Sequence, residues 1–327
     1  MNAAGTIIIK LIEYGFDVNE LEKELCVACN NGMTEKVQQL LKEPFININC
    51  GAEYNNGGTP LYFACQNGHI EVVKLLLKDE RIYLNKVIQF DYTPFWIACA
   101  NGHIEVVELL LNDERVNVMK ANVEGWTPFY VACYYEHIEI VKLLLNDKRI
   151  DINKTEKKNE TTPFYIACEN GHIEIVELLL NDPRVDINQA NLKKETPFFI
   201  ACYYGHIEIV KLLLNDTRVD INKARSNSRT PFYVACENGQ IEVVKYILAS
   251  GREENLIEKD KYSRTALEIA KARRNSIFQK ESEEERDVRR KNCLKIAELL
   301  ESFERNPDET RMKILLYGKK KKFFIFF

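Results

Sequence analysis

The chain has 327 residues and a formal net charge of −4, a balance that disfavours a nucleic-acid partner, since such a partner calls for a basic face. No apolar run approaches the ~20 residues of a membrane span, and the apolar stretch in the opening MNAAGTIIIKLIEYG is too short for a secretory signal. With the ten cysteines, these features give an expected location in the cytoplasm, with the nucleus as the alternative.

Residues 1–22 contain IIIKLIEYGFDVN, which matches the second half of a unit repeated further along and has no first half before it. The expectation is an N-terminal partial repeat acting as a cap, or the edge of a longer reading frame. Residues 23–58 read as a degenerate copy without Thr-Pro, as terminal repeats tend to be. From 59 to 264 six regular copies follow in phase, marked by Thr59-Pro60, Thr93-Pro94, Thr127-Pro128, Thr162-Pro163, Thr196-Pro197 and Thr230-Pro231. Their step of 34 or 35 residues means a solenoid of stacked units instead of one globular core.

The copy from Thr162 to Asn188 shows the physics of the rest. Thr162 is an N-cap, and Pro163 suits the first helical position, where its missing N–H is no loss. A short helix is predicted to about Asn170, with Phe164, Ala167 and Cys168 on an apolar face and Tyr165 and Glu169 on the opposite side. Gly171 supplies a left-handed stop. The segment HIEIVELLL, apolar except at Glu174 and Glu177, is a second helix antiparallel to the first, ended by Asn181 and Pro183. The polar run from Asn188 to Glu195 is a hairpin-like connection. So short a helix pair cannot bury its own apolar face, so copies must stack. The fold class is all-α: a solenoid of stacked helix-turn-helix units with hairpin-like loops.

The last copy, 265–302, carries a charged insertion at 276–292, read as a helical extension or a solvated loop. Residues 303–327 are expected to be a disordered tail. Its end, GKKKKFFIFF, offers only weak membrane-surface contact.

The run Thr-Pro-x-x-x-Ala-Cys-x-x-Gly-His-x-Glu-x-Val-x-Leu-Leu-Leu resembles the ankyrin repeat, over roughly residues 5 to 302. Three features depart from the family pattern. An aromatic (Tyr62, Trp96, Tyr130, Tyr165, Phe199, Tyr233) replaces the His after Thr-Pro-Leu, Cys replaces the second Ala, and an Asn-Asp-x-Arg run replaces the usual Gly-Ala-Asp-Val-Asn end.

Nothing in the pattern supports chemistry. Cys29, Cys65, Cys99, Cys133, Cys168, Cys202 and Cys236 share one repeat position and read as free core thiols. His69, His103, His137, His172 and His206 share another, and one Cys and one His per layer do not converge on a metal. Cys26 and Cys29 form a C-x-x-C without a second pair. All seven serines lie at or after Ser226, and no phosphate-binding glycine loop occurs. The chain is therefore expected not to be an enzyme, with no catalytic residue, cofactor or metal.

The regular copies carry a second period. Those starting at Thr93 and Thr162 have Ala100-Asn101 and Glu169-Asn170 after the Cys, then Glu108 and Glu177. Those starting at Thr127 and Thr196 have Tyr134-Tyr135 and Tyr203-Tyr204, then Lys142 and Lys211, a duplicated two-repeat block whose Glu and Lys could pair across neighbouring helices. The ankyrin resemblance implies an unidentified protein partner held on the concave face and hairpin tips of a monomer. The residues at those places are Tyr92, Trp126, Tyr134, Tyr135, Glu169, Asn170, Tyr203, Tyr204 and Arg229, where Tyr and Trp are favoured interface anchors. The alternative is a truncated regulatory module of a larger enzyme or channel. An adaptor for ubiquitin machinery would need a recruiting box, and 302–327 shows none.

Overall fold

The computed structural model describes residues 18–51, 57–252, 258–273 and 282–323, and for 18–19, 273 and 317–323 the backbone alone. Most of the partial repeat at 1–22, the start of the insertion (276–281) and the last four residues of the tail fall outside these. Two compact units divide the chain, one ending at Lys158 and the other starting at Asn159. Among the described residues there are α-helices, one 3₁₀ turn and no strand.

In the first unit the helices are α1 Val18–Asn30, α2 Thr34–Leu40, α3 Pro60–Gln66, α4 Ile70–Leu77, α5 Pro94–Ala100, α6 Ile104–Leu111, α7 Pro128–Tyr134 and α8 Ile138–Leu145. The second unit has α9 Pro163–Asn170, α10 Ile173–Leu180, α11 Pro197–Tyr204, α12 Ile207–Asn215, α13 Pro231–Glu237, α14 Ile241–Ser250, α15 Ala266–Arg273, α16 Glu283–Arg305 and α17 Pro307–Phe323. Within each unit first helices pack on first helices and second on second: α1, α3, α5 and α7 in one row, α9, α11, α13 and α15 in another.

Each regular copy starts as its residues dictate. Thr59, Thr93, Thr127, Thr162, Thr196 and Thr230 are buried, and each Oγ1 accepts the backbone N–H three residues on at 3.0–3.1 Å. The turn between the helices takes a left-handed residue, Gly68 at φ +71° for example, where a Cβ would also stand 2.6 Å from the ring of His103. That ring packs there because its Nε2–H donates to the Gln66 carbonyl of the preceding copy at 2.8 Å. His69, His137 and His206 repeat the bond on Asn30, Ala100 and Glu169. The histidines therefore tie one layer to the next.

The Cys ladder is fully buried and reduced, and burial pushes its thiols up. The sulfur beside Cys26 is that of Cys50, at 3.5 Å.

The Asn-Asp-x-Arg departure has a structural reason. Asp147 accepts the Arg149 backbone N–H at 2.8 Å and pairs with its guanidinium at 2.6 Å, and the same Arg donates to the Leu111 carbonyl at the end of the preceding second helix at 2.6 Å. Asp216, Arg218 and Leu180 repeat this in the second unit. The run closes its own turn and covers a helix C-terminus that would otherwise leave carbonyls unbonded.

Three expectations change. The side that Tyr165 and Glu169 share, where both line one pocket, is covered at Tyr165: Pro163 through Cys168 are all buried, because α11 and the following hairpin cover α9, and the Tyr165 hydroxyl accepts from Asn191 Nδ2 at 3.1 Å. Lys142 and Lys211 pair with Glu139 and Glu208 of their own helices at 2.6 Å and not across neighbours, since i,i+3 partners lie closest. The part of 303–327 expected to be disordered is helical from Pro307 to Phe323. Asn306 Oδ1 accepts the Glu309 N–H at 3.2 Å, Pro307 opens the first turn, and Arg311 donates to the Leu248 carbonyl at 3.2 Å. The described part of the insertion, from Glu283, begins the long helix α16, started by a Ser282–Glu285 capping box. It buries Cys293, Ile296 and Leu300 and packs on α15 of its own copy, on α13 and α14 of the preceding one and on α17.

Candidate binding surface

The first helix of each copy ends where the repeated Cys is followed by two variable residues, and the hairpin that leads into the copy brings its tip beside that end. In the first unit this geometry gathers aromatics. Tyr92 stacks on Trp96 at 4.3 Å between centroids and 22° between planes. Trp126 lies 4.9 Å from Tyr134, and its carbonyl accepts from Trp96 Nε1 at 2.8 Å. Tyr134 and Tyr135 meet edge to face at 4.9 Å. Tyr92, Trp126 and Tyr134 are half-buried in this group, whereas Tyr135 is 52% exposed. Four of the sequence-predicted residues are thus one aromatic patch.

The second unit carries a different surface. Tyr203 and Tyr204, at the end of α11, are 38% and 49% exposed and stand edge to face at 4.9 Å. Beside them α9 ends in half-buried Glu169 and exposed Asn170. Between these helix ends and the hairpin lies a pocket of about 280 Å³ whose lining includes Tyr165, Glu169, Glu195, Tyr203, Tyr204 and Arg225. The hairpin is fixed by Asn191, whose Oδ1 accepts the N–H groups of Lys193 and Glu195 at 2.9 and 3.0 Å. Its Nδ2 donates to Glu195 Oε2 at 2.8 Å, and Arg225 Nε sits 3.0 Å from Glu195 Oε1. Burial raises the Glu169 carboxyl above its ordinary range, and the Glu195 charge raises it further.

Arg229 is placed differently from the other predicted residues. Its side chain is 17% exposed and pairs with buried Glu237 at 2.8 Å, so its charge is answered inside the unit. Tyr165, Asn191 and Arg225 line or hold the pocket and were not singled out from the sequence. Two signals pointed to Tyr165 and Asn191, and none to Arg225: a tyrosine hydroxyl in a buried helix needs a polar partner, and Ala190-Asn191 repeats Ala121-Asn122 at the same place in the duplicated block. Asn122 makes the same staple, accepting from the N–H groups of Glu124 and Trp126.

Among the described residues no group of three or more His, Cys, Asp or Glu is arranged to hold a metal, and no helix is long and apolar enough to cross a membrane.

Comparison with known proteins gives one consistent picture. No curated protein matches the sequence. A family model for ankyrin repeats in three copies matches residues 2–87, 82–156 and 150–225, and a second ankyrin-repeat model matches 215–270. Among solved structures, the ankyrin repeat domain of human ASB11 is similar at a TM-score of 0.55 and 24% identity, over 71% of this chain and 97% of that one. That likeness speaks to the fold alone, whereas the sequence matches run in phase with the capped helix pairs described above, and on these grounds the chain belongs to the ankyrin repeat family.

Proposed function

We propose that this chain is a non-catalytic scaffold that holds a protein partner on the first-helix face and hairpin tips of its repeats. Ankyrin repeats are generally protein–protein interaction modules, and the reading applies that role to particular residues. The observation that carries it is the exposure of Tyr135, Tyr203 and Tyr204 at the ends of first helices, where each ring is braced by another ring and left open to solvent. Rigid, amphipathic rings lose little conformational entropy on contact and dominate protein interfaces. The proposed footprint is Tyr92, Trp126, Tyr134 and Tyr135 on the first unit and Glu169, Asn170, Tyr203 and Tyr204 on the second; Arg229, paired with Glu237 inside the second unit, is left out of it. Ten buried thiols fit a reducing compartment, the cytosol or nucleus.

The test is affinity capture from the source cell with the full chain and two variants, one with Tyr134 and Tyr135 changed to Ala, the other with Tyr203 and Tyr204 changed to Ala. At least one variant is expected to lose the captured partner, since interface anchors of this kind contribute ~2 kcal/mol or more each. Partners unchanged in both folded variants would remove the proposal.

A further inference from the structure

The pocket of the second unit has a feature that its counterpart in the first unit lacks. The two-repeat block places Ala100 where Glu169 stands and Trp126 where Glu195 stands. One copy of the block has therefore an aromatic patch at this place, and the other a recess with two carboxylates and a tyrosine pair. The two carboxylates are not equivalent. Glu195 accepts from Asn191 Nδ2 at 2.8 Å and is paired with Arg225, whose Nε stands 3.0 Å from it without a hydrogen bond. Glu169, half-buried at the end of α9, forms no ion pair with any described residue. Lys193 also lines the recess, and its charge only partly offsets the burial of Glu169 and the nearness of Glu195.

Resting on the surface reading above, we propose that this pocket takes an arginine side chain presented by the partner, its guanidinium set between the Glu169 carboxylate and the rings of Tyr203 and Tyr204. Size and chemistry argue for this occupant. A volume of about 280 Å³ falls below the usual ~300–1,000 Å³ of small-molecule sites, and suits one side chain. A carboxylate partly withdrawn from water attracts a cation more strongly than one on an open surface. A guanidinium adds what an ammonium lacks: a planar fork that meets a carboxylate through two parallel bonds, and a flat, weakly hydrated face that stacks on tyrosine. An uncharged isostere would leave Glu169 as it is in the free chain.

The experiment titrates N-acetyl-arginine methylamide into the full chain and follows the Tyr203 and Tyr204 ring resonances by NMR, assigned through Tyr203→Phe and Tyr204→Phe. The lysine and citrulline analogues serve as competitors of equal backbone. The arginine probe is expected to shift both rings saturably. The citrulline probe, and the arginine probe on Glu169→Gln, are each expected to bind about tenfold more weakly, equivalent to ~1.4 kcal/mol. No saturable shift, an equal response to citrulline or lysine, or an unchanged response in a folded Glu169→Gln chain would each overturn the proposal. Capture of the partner by the tyrosine-to-alanine variants, set beside the probe titration, separates the two levels. If tyrosine-to-alanine variants lose the partner while the arginine probe does not bind, the arginine pocket fails and the surface reading stands. If the probe binds as expected but no tyrosine variant changes what is captured, the pocket stands and the surface reading fails.

Discussion

At Glu136 the backbone is left-handed, with φ 61°. The equivalent turns use Gly68, Gly102, Gly171, Gly205 and Gly239, all with positive φ. An L side chain in that region carries a steric cost of ~1–2 kcal/mol that glycine does not. Glycine gives back ~0.5–1 kcal/mol through its greater freedom in the unfolded chain. We therefore expect Glu136→Gly to stabilise the first unit by about 0.5–1 kcal/mol, read as a raised thermal midpoint by circular dichroism. A midpoint equal to or below the parent would show that Glu136 contributes contacts worth more than its strain. At the same scale the structure corrects the sequence most often. Tyr165 and Arg229 were read from local pattern, yet Tyr165 meets Asn191, 26 positions away, and Arg229 meets Glu237 and lies 3.8 Å from Asp260, both beyond its own hairpin. Helical periodicity says which residues share a side of one helix. It does not say how many sides the neighbours cover.

The helices themselves were legible because each start signal is written out in full and then copied. Thr162 shows the mechanism: its Oγ1 accepts the Tyr165 N–H at 3.0 Å inside a buried cap, and Pro163 follows where no donor is needed. Thr162→Val keeps the shape and removes the acceptor, leaving that amide unsatisfied away from water. A loss of about 1–2 kcal/mol is expected, while Thr162→Ser should lose much less. Urea midpoints of the two variants decide the matter, and equal midpoints would mean that the cap bond adds nothing to the buried contacts. The helix over 307–323 was missed for the opposite reason. Its start signal, Asn306-Pro307-Asp308-Glu309, occurs once, outside the repeat register, and the lysine-rich run behind it reads as tail composition. The Asn-Asp-x-Arg run was visible in the four copies that start at Thr93, Thr127, Thr162 and Thr196, but its partner, a carbonyl at the end of the preceding second helix, exists only once copies stack.

Across the whole chain, stacking also explains why the fold was readable and the pocket was not. A period repeated six times needs no knowledge of contacts, whereas Glu169, Glu195 and Arg225 are brought together from two successive copies and no spacing rule links them. The response to acid is set mainly by pairs within single turns. Hydrogen bonds from Arg81, Arg115, Arg149, Arg184 and Arg218 hold Asp79, Asp113, Asp147, Asp182 and Asp216 below the ordinary carboxylate range. Burial alone would raise Asp260, but the Arg264 side chain and backbone, the Tyr233 hydroxyl and the Tyr262 N–H together hold it far below that range. A carboxyl whose folded pKa is depressed stabilises the fold fully above its unfolded value of about 4 and loses that contribution as pH falls toward the folded value. Glu169, raised by burial, works in the opposite sense, as does Glu22, likewise raised by burial. Six lowered aspartates against these two raised glutamates give the balance its sign. The thermal midpoint is therefore expected to be nearly level from neutrality down to about pH 5 and to fall steeply below about pH 4. Asp260→Asn retains an acceptor for the two backbone N–H groups, as Asn191 does in its own hairpin, but removes the charge. It should lower the midpoint at neutral pH and leave a shallower acid slope. A midpoint that is flat or rising below pH 4 in the parent chain, or an acid slope unchanged in a folded Asp260→Asn chain, would refute this account of where the acid sensitivity resides.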